Sequence, residues 1–285
     1  MTDGDAAAAF EPHRRYLAGV AYRMLGSVTE AEDVVQDAFL RWTTVDRGTV
    51  DDPRAYLARV VARLCLDRLK SARAQREQYV GTWLPEPLVE EPASPASVAD
   101  DISVALFMTL ERLSPLERAA FLLHDVFDMD YAAIASVLDR SEAACRQLAT
   151  RARDHVREQR PRFERTQEAE SRLVGAFAAA MISGDVDALA SILAEDAVLY
   201  SDGGGKRVAA INPIVGRDRV GRFLLGIRSK RMGVLPRATP ARINGLPGFV
   251  LELEDGPETV ALETSADAIV AVYIVRNPDK LRHLA

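Results

Sequence analysis

Apolar positions recur at helical spacing through the first part of the chain. Leu17, Val20, Ala21, Met24 and Leu25 form one stripe, and Val35, Ala38, Phe39 and Trp42 form a second. Thr29 with Glu32 matches a capping box, which predicts that the second helix begins there. A third helix is predicted from Asp52 and Pro53, a capping residue followed by a first-turn proline, through Leu57, Val60, Val61 and Leu64. The period then stops at GTWLPEPLVEEPASPAS, residues 81–97, where prolines replace the apolar repeat and predict a linker. Helices are expected again near Asp101.

In the next block, Ser114-Pro115-Leu116-Glu117 is a capping box with proline at the first helical position, ahead of Phe121 and Leu122. A short helix from Tyr131 to Leu138, the turn DRS and a longer helix from Glu142 to about Gln159 follow. That layout is a helix-turn-helix, whose second helix enters the major groove. From Thr166 the texture changes. A helix bearing Leu173, Phe177 and Met181 ends at Gly184, and another carries Leu189, Ile192 and Leu193. Alternating segments then predict strands at AVLYS, RVAAI, PARI, FVLELE, TVALETS and IVAVYIV, with the helix RDRVGRFLLGI between the second and third. Helices followed by a mostly antiparallel sheet indicate an α+β domain after two all-α blocks.

Composition narrows the class. The 285 residues are 48% hydrophobic and 27% charged, which suits a multi-domain globular chain. No apolar run reaches membrane-spanning length, and MTDGDAAAAFEPHRR has acids where a signal peptide needs bases, so a cytoplasmic protein with no membrane association is expected. Cys65 and Cys145 lie far apart in helical segments, and the four histidines are scattered, so buried thiols are expected with no metal site and no cofactor. The net charge of −6 conceals local excesses. Residues 54–76 hold seven bases against the single acid Asp67, and residues 140–160 hold six arginines against three acids. Residues 86–101 hold five acids and no base. Local fields of this kind steer a polyanion to two separate helices.

TEAEDVVQDAFLRWTTV followed by DDPRAYLARVVARLCLDRLKSAR resembles the polymerase-binding and promoter-melting region of extracytoplasmic-function sigma factors. LSPLERAAFLLHDVFDMDYAAIASVLDRSEAACRQLATRAR resembles the fourth conserved region of that family. The remainder is similar to SnoaL-like (NTF2-like) domains. WLPEP at 83–87, DGGGK at 202–206 and NPDKL at 277–281 resemble signatures of the SigJ-like group, which carries such a domain at its C-terminus. The resemblance implies sigma region 2 at 8–78, a linker at 79–100, a region 4 helix-turn-helix at 101–162 and a SnoaL/NTF2-like regulatory cone at 166–285. It implies core RNA polymerase and promoter DNA, at the minus-ten and minus-thirty-five elements, as partners.

Site residues follow in the same way. The resemblance implies that the helix of Asp33, Gln36, Asp37, Phe39 and Leu40 docks on polymerase; Phe39 and the nearby Trp42 read equally well as core, whereas Asp33 and Asp37 fall on the solvated face. Arg59, Arg63, Arg68 and Lys70 are expected to track phosphates near the minus-ten element; Asp67 could read a base amine, but an ion pair with Arg63 or Arg68 is the favoured reading. Arg146, Gln147, Thr150 and Arg151 form the expected reading face of the recognition helix, since arginine can grip guanine bidentately and glutamine adenine. Arg153 and Arg157 are expected at the DNA backbone or as ordinary surface.

Three glycines in DGGGK raise the question of a phosphate loop, but Lys206 is followed by Arg207, not Ser or Thr, and strands flank the turn. A hairpin is the simplest reading of Gly203, Gly204 and Gly205. Asp202 and Lys206 are then expected, with Asn277, Pro278, Asp279, Lys280 and Leu281, to touch the sigma part or the linker at Trp83, Leu84 and Pro85, regulating in cis. No catalytic residue is expected. Two alternatives stay open: an enzyme using Tyr200, Asp202, Asp196 or Tyr273 in the cone, and a ligand-sensing helix-turn-helix regulator, for which an unknown small ligand would occupy the C-terminal domain.

Overall fold

In a computed structural model, residues 3–76, 79–90, 104–159, 166–230 and 236–284 are described. The chain divides into two compact units, one of residues 1–78 and 105–160 and one of residues 79–104 and 161–285.

The first unit is helical. Helices α1 (Asp3–Leu25), α2 (Val28–Thr44) and α3 (Pro53–Arg76) pack through Leu17, Val20, Val34, Val35, Leu57 and Val61, all buried. Gly26, at φ 71°, closes α1, which makes Ser27 the first extended residue. Its Oγ accepts the Glu30 N–H at 3.1 Å. The cap of α2 is therefore Ser27 and not the expected Thr29, because the preceding helix end fixes where extended backbone is available. The Asp52 carboxylate caps α3 through the Ala55 N–H, as expected. Trp42 is core, 1% exposed, with its indole N–H on the Ala6 carbonyl.

Helices α4 (Val104–Glu111), α5 (Pro115–Phe121, continued by a π-helical turn Leu122–Val126), α6 (Tyr131–Leu138) and α7 (Glu142–Gln159) complete this unit. The Ser114/Glu117 capping box forms, and α6 ends at Asp139 in the left-handed conformation, φ 53°. The two helical blocks pack on each other. Tyr22 meets Phe107 edge-on at 5.1 Å, Tyr16 meets Phe127 at 5.6 Å, and Arg118, 2% exposed, pairs with Glu111 and donates to the Arg23 carbonyl. Cys65 and Cys145 are buried and free, and burial pushes both thiols up.

The second unit is an α+β cone. Helices α8 (Gln167–Ser183), α9 (Val186–Ile192) and α10 (Arg217–Lys230) pack on a seven-stranded sheet of order β1-β4-β5-β6-β7-β2-β3. The strands are β1 (Val89–Glu90), β2 (Leu193–Asp202), β3 (Ile214–Val215), β4 (Arg237–Ile243), β5 (Leu246–Glu252), β6 (Glu258–Thr264) and β7 (Ile269–Val275). All pairings are antiparallel except β2 with β7. The core is Leu173, Phe177, Leu189, Leu199, Leu224, Val260, Leu262, Val272 and Ile274.

Two strand expectations change. RVAAI is not a strand: the N–H groups of Lys206 and Arg207 both return to the Gly203 carbonyl, and the tight turn carries the chain out of the sheet. Val208 and Ile211 point to solvent, and β2 pairs with β3 instead, so DGGGK is a strand-ending turn and not a hairpin. The predicted linker also supplies β1, which extends the sheet beside β4.

Candidate functional site: basic helices and a linker clasp

On α7 the predicted reading residues Arg146, Gln147, Thr150 and Arg151 are all exposed. The spacing i, i+1, i+4, i+5 puts them on one helical face, while Cys145, Leu148, Ala149 and Ala152 are buried on the other. Their internal ties are weak. Arg146 pairs with Glu142 at 2.8 Å and lies over the Tyr131 ring, and Arg151 reaches Glu117 at 3.4 Å, with both arginines more than half exposed. Burial raises the Glu117 carboxyl, but hydrogen bonds from Ser114 and the field of Arg151 outweigh it and hold the acid below its ordinary value. Arg153, expected at the DNA backbone or as ordinary surface, has partners within the protein. It bonds Asp125 at 2.7 Å and the Tyr131 hydroxyl at 3.1 Å, bracing α7 against the start of α6.

On α3 the four predicted bases separate. Lys70 is exposed and pairs with Asp67 at 3.0 Å, which overturns the expected pairing of Asp67 with Arg63 or Arg68. Arg63 is exposed and donates to the Ser136 carbonyl of α6 at 2.5 Å, while Arg59 is half-buried. Arg68 turns inward to α2, donating to Asp37 at 3.1 Å and to the Glu30 carbonyl, with Asp33 at 3.5 Å. The structure thus joins one predicted phosphate contact to the predicted polymerase face. On that face Asp33, Gln36 and Leu40 are exposed, Leu40 by 56%, whereas Phe39 is half-buried against Phe10.

In the second unit DGGGK, WLPEP and NPDKL converge. Asp202, 1% exposed at the end of β2, accepts from the Tyr79 hydroxyl at 2.6 Å and the Gly204 N–H at 3.0 Å with one oxygen. Its other oxygen accepts from the Leu84 N–H at 2.9 Å and Lys280 Nζ at 2.7 Å. Lys280 also donates to the Leu84 carbonyl and lies 4.2 Å from the centre of the Trp83 ring. A buried carboxylate and a buried ammonium satisfy each other while both grip the linker backbone, which is how such charges become tolerable in an interior.

The glycines allow this approach. A Cβ on Gly204, φ 61°, would sit 2.2 Å from Asn277 Nδ2, and one on Gly203 would sit 2.2 Å from the Arg207 carbonyl. Asn277 donates to the Tyr79 hydroxyl at 2.8 Å and caps the turn of Pro278, Asp279 and Lys280. Leu281 is buried behind it. Lys206 pairs with Asp279, which Arg282 holds at 2.7 Å; these two cations keep the Asp279 carboxyl below its ordinary value. Pro85 is buried, and the linker continues under His283, whose Nε2 meets the Pro87 carbonyl at 2.7 Å, and Asn244, which exchanges two bonds with Leu88. Burial, then the bond to the Asp202 carboxylate, pushes the Tyr79 hydroxyl far up, so it stays a donor.

Sequence reading missed Tyr79, Asn244 and His283. They lie outside the three motifs, and their partners are more than 120 residues away. The candidate catalytic set does not assemble. Tyr200 and Tyr273 stack at 5.4 Å, Tyr273 donates to Glu263, Asp202 is in the clasp and Asp196 is exposed. None of the four lines the cone's cavity, because strand alternation turns Leu199 and Ile274 inward and their neighbours outward.

Two family models match: Sigma-70 region 2 over residues 9–75 and Sigma-70, region 4 over residues 103–156. ECF RNA polymerase sigma factor SigJ of Mycobacterium tuberculosis (strain H37Rv) is 40% identical across 95% of this chain and 91% of its own. The probable ECF RNA polymerase sigma factor SigI of Mycobacterium tuberculosis (strain CDC 1551 / Oshkosh) is 35% identical across 96% of this chain and 94% of its own. The crystal structure of Mycobacterium tuberculosis extracytoplasmic function sigma factor SigJ matches with a TM-score of 0.79 at 38% identity, covering 97% of this chain and 98% of that one. With two basic helical regions of this design, a linker clasped to a C-terminal cone and whole-length relatives of one kind, the chain belongs to the extracytoplasmic-function RNA polymerase sigma factors.

Proposed function

We propose that this chain docks on core RNA polymerase through Asp33, Gln36, Asp37 and Leu40, captures the minus-ten element along α3 and reads the minus-thirty-five element with α7, in the cytoplasm. The observation that carries this reading is the α7 face, where Arg146, Gln147, Thr150 and Arg151 stand exposed together behind a helix-turn-helix. Their neutralising partners are themselves exposed or weakly held, so a phosphate or a base edge can replace them. Arg68 acts through Asp33 and Asp37, as the organiser of the polymerase face.

Promoter binding also requires the helical blocks to separate. The two elements lie some 25 base pairs apart, roughly 85 Å at about 3.4 Å per pair, whereas Arg63 of α3 bonds Ser136 of α6 directly. Core polymerase supplies that separation. The clasp acts in cis by fixing the linker between the blocks, through Trp83, Leu84 and Pro85 on Asp202, Gly204, Asn277 and Lys280.

Promoter-specific transcription with core polymerase tests this, using full-length protein, a version ending near Arg165 and the double variant Arg146→Ala, Arg151→Ala. Initiation by the full-length chain, its loss in the double variant and an altered output on truncation are expected. Equal output from full-length and truncated protein would remove the regulatory role. No initiation at any promoter of its genome would remove the whole reading.

A further inference from the structure

Inside the cone lies a cavity of about 360 Å³, within the roughly 300–1,000 Å³ that small-molecule sites occupy. Its walls are apolar, with Phe177 and Met181 from α8 and Phe249 and Leu251 from β5. Among the described residues, the charged lining is Arg228 and Glu258. They differ in how far they are satisfied. Glu258, 2% exposed, is 2.8 Å from Arg276 Nε, so its charge is compensated within the protein. Arg228 spends one terminal nitrogen on the Ile182 carbonyl at the end of α8, while its Nε is buried and has no acceptor among the described residues.

A buried N–H without an acceptor is destabilising relative to a satisfied one, and native structures hold few of them. Apolar walls also hold water poorly, so solvent is a poor substitute partner there. We infer that this cavity binds a small apolar acid, its hydrocarbon body against Phe177, Met181, Phe249 and Leu251 and its carboxylate on Arg228. The opposite head group is disfavoured, because Glu258, the acid in the wall among the described residues, already holds its cation. The cavity wall runs into the clasp: Ile274 lines it, and the next residues of the chain donate their N–H groups to the Asp202 carbonyl from Arg276 at 2.8 Å and Asn277 at 3.0 Å. That occupancy alters transcription rests on the regulatory reading above; binding itself does not.

Calorimetric titration of the full-length protein, without polymerase, with decanoate and with decyltrimethylammonium below their micelle concentrations separates the two. Saturable one-to-one binding of decanoate, at least tenfold tighter than the cation, is expected. Arg228→Met should remove that preference and leave weak binding of both chains. Ala178→Phe, which narrows the cavity from α8, should abolish saturable binding. A circular-dichroism melt of each variant matching the parent shows that the fold is kept; a variant that melts early is replaced by Arg228→Gln or Ala178→Leu, with the same expectations. Equal affinity for acid and cation, no saturable binding, or decanoate binding indifferent to both substitutions overturns the inference.

Discussion

Charges on the basic helices and charges in the clasp are paired in opposite ways. Lys70 with Asp67 and Arg146 with Glu142 are short-range pairs, each partner about half exposed or more. Asp202 with Lys280 spans 78 residues, with side chains 0% and 9% exposed. Water screens the first kind and already solvates each partner, so such pairs contribute little and exchange readily for another anion. The second kind is desolvated, so removing one partner strands the other. The same interaction type therefore serves exchange on one unit and permanence on the other.

The clasp is where that contrast breaks most visibly. Lys280→Met should destabilise the full chain by about 3–5 kcal/mol in urea denaturation, and Asp202→Asn by a comparable amount, because each leaves a buried charge unpaired. A loss under about 1 kcal/mol would mean that the pair is as exchangeable as those on α7. Gly204→Ala comes next, at about 1–3 kcal/mol, from positive φ and the collision with Asn277. Gly175→Ala in α8, where a Cβ meets nothing within 4 Å, should be neutral or slightly stabilising in the same assay.

Arg68→Ala sits between the two kinds, its side chain 28% exposed. It should cost about 1 kcal/mol in stability and weaken polymerase binding by surface plasmon resonance, while leaving the salt dependence of promoter binding unchanged. Lys70→Ala and Arg146→Ala should each change stability by less than about 0.5 kcal/mol, yet each should lower the log–log salt slope of holoenzyme–promoter binding by about one.

The smallest effect is a pH dependence. Asp279 is held below its ordinary value by Lys206 and Arg282, so the protein binds that proton less readily folded than unfolded. Its contribution is complete above the ordinary carboxylate range and is lost as pH falls through the lowered folded value. Comparison of the acid limb of the melting curve for Asp279→Asn with the parent should show a slightly shallower slope.

Legibility in the sequence divides along the same line. Elements whose signals are local were readable: the Asp52 and Ser114 caps, the α6–turn–α7 spacing and the end of α8 at Gly184 are each decided within a few residues. The cap of α2 was misread because a match at Thr29 and Glu32 competes with the helix end at Gly26, which only the backbone resolves. RVAAI alternates like a strand but follows a turn that takes it off the sheet. Arg68 shares the charge and helical setting of Lys70, and only the neighbouring α2 gives it Asp33 and Asp37 as partners. Motif resemblance brought DGGGK, WLPEP and NPDKL to notice together, but nothing in local pattern links Tyr79 to Asp202.

The two residues of β1 have a consequence of their own. Among the described residues they pair with β4 at Arg242 and Ile243; further along that strand stands Pro240, which lacks an N–H. Were residues 79–90 to peel away, the margin beside Arg242 and Ile243 would lie bare, ready to recruit a strand from a neighbouring molecule. Whatever holds that short stitch in place therefore also keeps this margin of the cone paired.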